Sequence, residues 1–382
     1  MNPEKPKVLY QETNPYGSFT AFLEDDGRTI YLYLQSHNNP EWPMKTLWIR
    51  NRIDAPEERD PEDFDQGLAP LLTKAEVNNP QGLPSLKEDE IHFIWSEEGD
   101  AVALFLDEEL YAYLPPWSGI KGVHGYSKEA KEEAIAASPL GDGKSGVIAE
   151  RVNQARKFWE GVSAKDHWKK AQSLRLQFLE EKLGKHDKYW SADGGKYPSL
   201  GIASFYPKEF PGIKVFSTVG MSVQNQPSVE LYHKKFEDFT RIELVFAIKL
   251  LPDTDDHSEQ WIQHVLGEMI KFPWNTGIWF GHSHTLQNPR KDPDQLYLDF
   301  GWFVFNNITD ELDSHPGTNP SYPALNGLIS ENGKRVNFLL LTPISAEERL
   351  CFMREGSLKF WETWKKEGFT FFHDSERRML EF

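Results

Sequence analysis

The chain has 382 residues and a mass of 44.2 kDa, which is enough for two or three domains and for a sizeable apolar core. Its 59 acidic and 42 basic side chains give a formal charge of −17, which argues against nucleic acid or an anionic membrane as a general partner and suits a cationic protein. The single cysteine, Cys351, excludes an intrachain disulfide and a metal site built from cysteines.

Short apolar, β-rich runs alternate with turn sequences in the first third of the chain. The turns at Glu24–Gly27 and Glu97–Asp100 each connect two such runs, which predicts two β-hairpins. The predicted strands are residues 18–23, 29–34, 46–49, 91–95, 101–106 and 110–114. We therefore predict an antiparallel, β-rich amino-terminal domain over residues 1–120, in which residues 54–65 form an acidic loop or a solvated acidic edge.

A helical connecting region is predicted over residues 121–184. A short helix is expected to begin near Ser127, and a second one spans about residues 147–161 at helical apolar spacing. The sequence Ser163–Asp166 fits a capping box, so a third helix is predicted from there to Leu183. Seven basic residues lie across the last two helices. They form either solvated faces that pair with nearby Glu or a contact to the acidic amino-terminal part or to a partner: Arg151, Arg156, Lys157, Lys165, Lys169, Lys170 and Arg175.

The last half of the chain mixes strands and helices without a regular β-α-β order. A helix is predicted around residues 261–270, and Ser345–Glu348 is a second capping-box sequence that opens another helix. The predicted buried strands are residues 215–219, 242–250, 278–280, 297–305 and 336–342. This order favours an α+β fold over a doubly wound parallel sheet.

The sequence Gly141–Gly146 resembles the end of a phosphate-binding loop. Such a loop needs a preceding strand and an earlier glycine, so that backbone N–H groups at a helix start can surround the phosphates. Ser138 occupies the position of that glycine, and the preceding residues predict a helix instead of a strand. We therefore interpret this segment as a linker.

His282 and His284 are the strongest metal-ligand candidates. In a strand both imidazoles would point to one face, but a zinc site needs at least three protein ligands. Further ligands would have to come from residues that only the fold could bring near: His257, His264, His315, Asp292 and Asp294. Packed or polar histidines are the favoured interpretation, and we expect no metal and no cofactor.

No sequence pattern marks a catalytic nucleophile or an acid–base pair. The sequence Gly220–Ser222 lacks the second glycine of a nucleophile elbow, and Cys351 falls inside a predicted helix. The first residues also lack the apolar segment of a signal peptide, and no run of about 18 apolar residues occurs. We therefore expect a cytoplasmic protein that is not an enzyme.

Aromatic residues in polar, proline-rich surroundings are candidates for a protein interface, although they can equally fill gaps between domains. These residues are Trp42, Trp117, Trp190 and Trp274. Trp302 lies in a predicted strand that is rich in aromatic residues, and its position predicts a core side chain. Of these residues, Trp274 and Trp302 are included among the predicted binding residues.

The second half of the chain resembles the suppressor-of-fused (SUFU-like) family in the order of its motifs. The motifs are Val215–Ser222, Arg241–Phe246, Trp261, Gly281–His282, Tyr297–Phe305 and Phe338–Glu348, with Gly356 and Leu358 after them. They cover about residues 185–367, so a SUFU-like domain is predicted over residues 185–382. The amino-terminal part shows no such similarity, as in bacterial multidomain members.

This resemblance implies an α+β fold with a central, mainly antiparallel sheet and no catalytic activity. Animal members bind and sequester a transcription factor, and many bacterial members look like immunity proteins that neutralise a toxin. The resemblance therefore implies a sequestering protein, most simply an immunity protein that occludes a cationic toxin domain. The alternatives are a metal-dependent hydrolase centred on His282 and His284, or a two-domain adaptor.

Within the shared motifs, Thr218, Gly220 and Glu243 are the predicted binding residues. Gly220 is expected to meet a backbone requirement at the end of a strand. Glu243 lies in an otherwise apolar strand, where a buried carboxylate needs a partner such as a backbone N–H, an arginine or a histidine. Glu243 therefore has either a structural role or a direct binding role.

Overall fold

The computed structural model describes residues 6–250, 256–288, 301–309, 325–374 and 376–380. The chain divides into two compact units. The first unit contains Met1–Ala164 together with Trp274–Gly277, and the second contains Lys165–Pro273 and Ile278–Phe382. The border between Ala164 and Lys165 lies inside the predicted connecting region, and the division of the chain at residues 120 and 184 stays a prediction.

Two β-sheets build the first unit. The four-stranded sheet is antiparallel throughout, and the five-stranded sheet is antiparallel except for its last, parallel pair. In sequence order the strands are β1 (Lys7–Thr13), β2 (Phe19–Asp25), β3 (Thr29–Ser36), β4 (Lys45–Asn51), β5 (Ile91–Trp95), β6 (Val102–Leu106), β7 (Glu109–Leu114), β8 (Tyr126–Ser127) and β9 (Ser138–Pro139). The two predicted hairpins are β2–β3 and β5–β6.

One apolar core serves both sheets of the first unit. Leu23 and Leu32 from the first sheet and Leu104 from the second are fully buried in the same cluster. The outer side of the second sheet is covered by α2 (Gly146–Val162), whose Val152 packs with Phe105. The first unit also contains the short helix α1 (Pro61–Asp65).

The predicted helix near Ser127 is wrong, because this segment pairs with the sheet instead. Ser127 belongs to β8, beside β7, and its hydroxyl donates to the carbonyl of Ile49 at 2.8 Å. Further along, the carbonyl of Ala136 accepts the N–H of Trp48 at 3.1 Å. Tertiary hydrogen bonds have overridden a local helix preference that is weak over so few residues.

A seven-stranded sheet forms the centre of the second unit, in the order β10-β11-β12-β13-β16-β15-β14. All neighbours are antiparallel except β13 and β16. The strands are β10 (His186–Ser191), β11 (Gly201–Phe205), β12 (Ile213–Val219), β13 (Ile242–Lys249), β14 (Thr285–Gln287), β15 (Trp302–Asn307) and β16 (Asn337–Ile344). The α+β fold with a mainly antiparallel carboxyl-terminal sheet is therefore confirmed.

Helices cover both faces of this sheet, because its strands are apolar on both sides. These helices are α3 (His167–Leu183), α4 (Asp256–Met269), α6 (Ala346–Glu355) and α7 (Ser357–Lys366). The short helix α5 (Phe272–Thr276) begins in the second unit, and its residues from Trp274 onward belong to the first. Leu179 of α3 and Phe360 of α7 share a core with Val245 of β13. The adjacent residue Phe246 points to the other face and meets Trp261 of α4, with 5.4 Å between ring centroids.

The two predicted capping boxes have different outcomes. At α6 the box is formed, with Ser345 and Glu348 each accepting a backbone N–H from the other residue. The box predicted at residues 163–166 is wrong, because the Ser163 hydroxyl donates to the carbonyl of Trp159 at 2.8 Å, at the end of α2. Helix α3 begins after Asp166 without a side-chain cap.

Two further predictions concern the region after α5. The predicted strand at residues 278–280 is wrong, because these residues have no regular structure and the nearest strand, β14, begins at Thr285. The predicted strand at residues 297–305 lies partly outside the described residues, and its described part contains the start of β15.

Across the described part of the chain, no helix is both long and apolar enough to cross a membrane.

Candidate functional site

The carboxylate of Glu243 is surrounded by hydrogen-bond donors in the second unit. It lies on β13 with no exposed surface, beside the end of β12. The Thr218 hydroxyl donates to one carboxylate oxygen at 2.7 Å, and the Ser222 hydroxyl donates to the other at 2.6 Å. The backbone N–H groups of Gly220, Met221 and Ser222 donate at 2.9, 3.3 and 3.1 Å.

Gly220 lets the chain turn closely around this carboxylate. Its φ of +114° lies in the region that favours glycine. A Cβ at this position would lie 2.7 Å from the carbonyl oxygen of Ser199 and 2.9 Å from the ring of Trp168. The backbone requirement expected from the sequence is therefore real, and it points three consecutive N–H groups at Glu243.

Arg175 of α3 supplies the opposite charge. Its Nε donates to the Ser222 hydroxyl at 2.8 Å and lies 3.4 Å from the Glu243 carboxylate. Its two terminal nitrogens donate to the carboxylate of Glu331 at 2.6 and 3.2 Å. Burial acts to raise the pKa of Glu331, but the hydrogen bonds and charge of Arg175 outweigh it and lower that pKa below its ordinary value.

These residues, which we call the Glu243 cluster, are Arg175, Thr218, Gly220, Ser222 and Glu243. Both oxygens of Glu243 accept hydrogen bonds from the protein, and the carboxylate has no contact with solvent. A buried carboxylate paired in this way stabilises the loop around it. The contacts therefore describe the structural role of Glu243, and a direct role of the cluster in binding stays a prediction.

Two members of this cluster were not among the predicted site residues. Ser222 is part of the Val215–Ser222 motif, and its residue type already fits a carboxylate partner. Arg175 was grouped with surface cations, yet it follows Ala171 and precedes Leu179 at intervals of four. All three side chains are buried, because that interval defines one helix face. An arginine at an inward-facing position is the signal that sequence analysis could have used.

The two predicted tryptophans lie outside the Glu243 cluster. Trp302 on β15 is half-buried, and the guanidinium of Arg349 lies 3.8 Å from its ring centroid. Trp274 belongs to the first unit, where it is 1% exposed and stacks on Tyr16 with 5.8 Å between ring centroids. The structure therefore brings together Thr218, Gly220 and Glu243 but not the tryptophans, and a binding role for all five stays a prediction.

His282 and His284 lie in a turn and not in the strand considered above, because Ser283 between them has a φ of +66°. The Nδ1 atom of His282 accepts the N–H of Asn307 at 3.2 Å. The ring of His284 packs on Trp279, and burial lowers the pKa of this histidine.

Within the described ranges no three His, Cys, Asp or Glu residues are arranged to hold a metal ion. Several of the candidate ligands considered above lie outside those ranges: His315, Asp292, Asp294 and the side chain of His257.

In the glycine-rich segment Gly141–Gly146, before α2, the side chain of Asp142 binds the backbone N–H groups that a phosphate would need. Asp142 accepts the backbone N–H groups of Lys144 and Ser145 at 2.9 and 3.2 Å. These hydrogen bonds lower the pKa of Asp142, so the group is anionic at neutral pH. A phosphate would have to compete with this charge for the same donors, which disfavours the nucleotide interpretation.

A cleft of about 640 Å³ opens in the first unit between the β6–β7 turn and α2. Its walls include the apolar residues Phe105, Leu110 and Val152. Its rim carries four carboxylates, from Asp107, Glu108, Glu109 and Asp142, and two cations, from Lys144 and Arg156. We call this feature the acidic cleft. No pattern in the sequence marked it, because its walls come from separate elements.

The second unit is similar to known proteins. Residues 196–378 match the family described as Suppressor of fused protein (SUFU). The SUFU (suppressor of fused protein) homolog of Neisseria gonorrhoeae FA 1090 is 17% identical with a TM-score of 0.37, over 56% of this chain and 98% of that chain. The Sufu-Fu complex is 14% identical with a TM-score of 0.38, over 56% and 91%. No curated protein matches the chain.

The matched range contains most of the Glu243 cluster. Thr218, Gly220, Ser222 and Glu243 lie inside residues 196–378, whereas Arg175 comes from the preceding helix α3. The range also contains β11 to β16, so it includes most of the central sheet. Residues 196–378 of this chain therefore form a domain that is similar to the suppressor-of-fused family.

Proposed function

We propose that this chain is a non-catalytic bacterial immunity protein that acts in the cytoplasm and neutralises a toxin domain by covering its surface. The observation that carries the proposal is the suppressor-of-fused domain, because this family acts by binding proteins. The formal charge of −17 supports a cationic partner. Many toxins that act on nucleic acid are cationic, and an acidic inhibitor is attracted to the surface that such a toxin uses.

The proposal is tested in cells that express a toxin encoded beside this chain. Co-expression of the chain is expected to restore growth, and tagged chain is expected to co-purify with that toxin at one to one. The Glu209→Gln variant, which changes an exposed residue of the second unit, serves as a control and should protect equally. Failure to protect against any toxin of the neighbouring genes would remove the immunity function.

A two-domain adaptor is the second candidate, because the first and second units each have an apolar core of their own. An adaptor would hold two different partners at once, whereas an occluding inhibitor holds one. Size measurement of the complex recovered from the native host separates the two functions. A ternary complex with two distinct proteins would favour the adaptor and contradict simple occlusion.

A further inference from the structure

The negative charge of the chain is concentrated in its first unit. Residues 1–164 contain 16 Lys and Arg against 29 Asp and Glu, a formal charge of −13. Residues 165–382 contain 26 against 30, a formal charge of −4. Attraction of a cationic partner is therefore mainly a property of the first unit, which lies outside the suppressor-of-fused domain.

Two acidic segments meet beside the acidic cleft. One is the single helical turn Glu88–Glu90, and the other is the β6–β7 turn with Asp107, Glu108 and Glu109. The N–H of Asp107 donates to the carbonyl of Glu90 at 2.8 Å, which holds the segments together. Asp107 adopts a φ of +52°, as residues in tight hairpin turns often do, and the side chains of all three acidic residues are exposed.

The acidic cleft combines these carboxylates with apolar walls. Phe105, Leu110 and Val152 are buried residues that line it. Of its two cations, Arg156 already stacks on the Phe105 ring, with its guanidinium 5.1 Å from the ring centroid. A lysine or arginine side chain from a partner has an aliphatic stem for such walls and a charged head for such a rim.

We propose that the acidic cleft is the docking site for a cationic segment of the protein partner, with a lysine or arginine side chain inserted between α2 and the β6–β7 turn. This inference rests on the proposed function and assigns its contact surface to the first unit. The rim carboxylates outnumber the rim cations by four to two, which favours a cationic occupant. The carboxylate of Asp142 already occupies the N–H groups that an anion would need.

The test measures binding of a fluorescent nine-residue peptide of alternating arginine and alanine to the full chain, at an ionic strength of about 0.15 M, where charges are screened beyond about 8 Å. The triple variant Asp107→Asn, Glu108→Gln, Glu109→Gln is expected to weaken binding about tenfold. The matched control is Asp54→Asn, Glu57→Gln, Glu58→Gln in the acidic loop. Each triple removes three exposed carboxylates and one exposed lysine pair, Lys128–Glu109 or Lys74–Glu57.

A second pair of variants tests the cleft without changing charge. Asn153 is an exposed residue of α2 that lines the cleft, and its neighbour Gln154 is equally exposed but does not line it. Asn153→Trp is expected to fill the cleft and weaken binding about tenfold, whereas Gln154→Trp should change it less than about twofold. Because both substitutions are at the surface, neither should disturb the fold.

Three results would overturn the inference. The unmodified chain could fail to bind the peptide, both triple variants could weaken binding equally, or inorganic phosphate could bind the cleft and displace the peptide. Failure of this inference can be distinguished from failure of the proposed immunity function. If Asn153→Trp loses the peptide but still protects cells, the partner binds elsewhere and the proposed function stands. If the cleft binds the peptide but the chain protects against no toxin, the immunity function is wrong.

Discussion

Glu243 is a carboxylate in a fully buried strand position, and such a residue is tolerated only when donors and an opposite charge surround it. Removal of the carboxylate leaves Arg175 and three N–H groups without that partner. Glu243→Ala is therefore expected to lower the free energy of unfolding of the second unit by about 3–5 kcal/mol. Urea denaturation measures the change.

The matched control is Glu209→Gln, which removes an exposed carboxylate of the same unit and should change stability by less than about 0.5 kcal/mol. Glu243→Gln is expected to be intermediate, because an amide keeps one oxygen acceptor. A loss below about 1 kcal/mol for Glu243→Ala would contradict the structural role and leave a direct binding role as the remaining interpretation of this residue.

Alanine substitutions at Gly220 and Gly212 should separate the stability cost of steric contact from the cost of backbone strain. Gly220 and Gly212 both have positive φ, but only at Gly220 would a Cβ meet other atoms within 4 Å. Gly212→Ala should cost about 1 kcal/mol from strain alone. Gly220→Ala should cost a further 1–3 kcal/mol, roughly the range for overpacking. Equal losses for the two variants, measured by thermal unfolding, would show that the close approach is unimportant.

His373 gives the second unit a pH dependence. Burial, helped by the charge of Arg377 and opposed by Asp374, lowers the pKa of His373 from 6.5 to about 4. Above about pH 6.5 the histidine is neutral in both states and costs nothing. As the pH falls from about 6.5 to 4, only the unfolded chain binds the proton, so stability is lost across that window.

The expected loss from His373 is up to about 3 kcal/mol. The variant His373→Gln should show a flatter curve of unfolding free energy against pH between about 6.5 and 4. It should not be flat, because burial also lowers the pKa values of His167 and His284. A curve with the same slope as the unmodified chain would mean that His373 binds its proton while folded.

At the residue scale, three of the five predicted site residues lie together in the structure, whereas a binding role for any of the five stays a prediction. Thr218, Gly220 and Glu243 were found because the first two stand together in one motif and the third is a charge in an apolar strand. Arg175 was misinterpreted, because seven cations on neighbouring helices look alike until the helix faces are known. Glu331 lies 156 residues from Arg175, and no local rule connects two positions so far apart.

Helix α6 shows how one side chain can serve two elements. Glu348 completes the capping box with Ser345, and the same carboxylate accepts two hydrogen bonds from Arg377 at 2.7 and 2.9 Å. It also accepts the N–H of Leu380 at 2.8 Å. The capping box was predicted from sequence, whereas the attachment of the carboxyl-terminal segment depends on a distance of 29 residues along the chain.

Substitutions in α6 should separate these two roles. Ser345→Ala removes one cap acceptor and is expected to cost about 1 kcal/mol. Glu348→Ala should cost about 3–5 kcal/mol, because it also removes the carboxylate that pairs with the largely buried guanidinium of Arg377. Hydrogen exchange at the Leu380 amide should accelerate only in the second variant. Similar exchange in both variants would contradict the attachment, and Glu347→Ala, on the exposed face, is the control.

At the element scale, hairpins were predicted better than helix starts. The β2–β3 turn is local, because Asp25 and Asp26 accept the N–H groups of Gly27 and Arg28 at 2.8 Å. Such turns depend on four residues and can be recognised from sequence. The segment after Ser127 depends on strands elsewhere in the chain, so its local helix preference was misleading.

At the scale of the whole molecule, a charge of −17 acts on a partner before any contact is made. Long-range attraction is the sum over all exposed charges, whereas dissociation depends on the groups in contact. The acidic cleft and the acidic loop should therefore contribute alike to association of the arginine-rich peptide at low salt. Only the cleft should affect its dissociation.

This difference gives a kinetic prediction. At about 0.02 M salt, where screening is weak, both triple variants should slow association with the peptide by about twofold to threefold. Only Asp107→Asn, Glu108→Gln, Glu109→Gln should also accelerate dissociation, because those carboxylates touch the bound peptide. Raising the salt to about 0.3 M should slow association of the unmodified chain about tenfold and leave its dissociation nearly unchanged. Association that does not depend on salt, measured by stopped-flow fluorescence, would mean that the charge of the first unit has no part in capture and that the partner is recognised by shape and apolar contact alone.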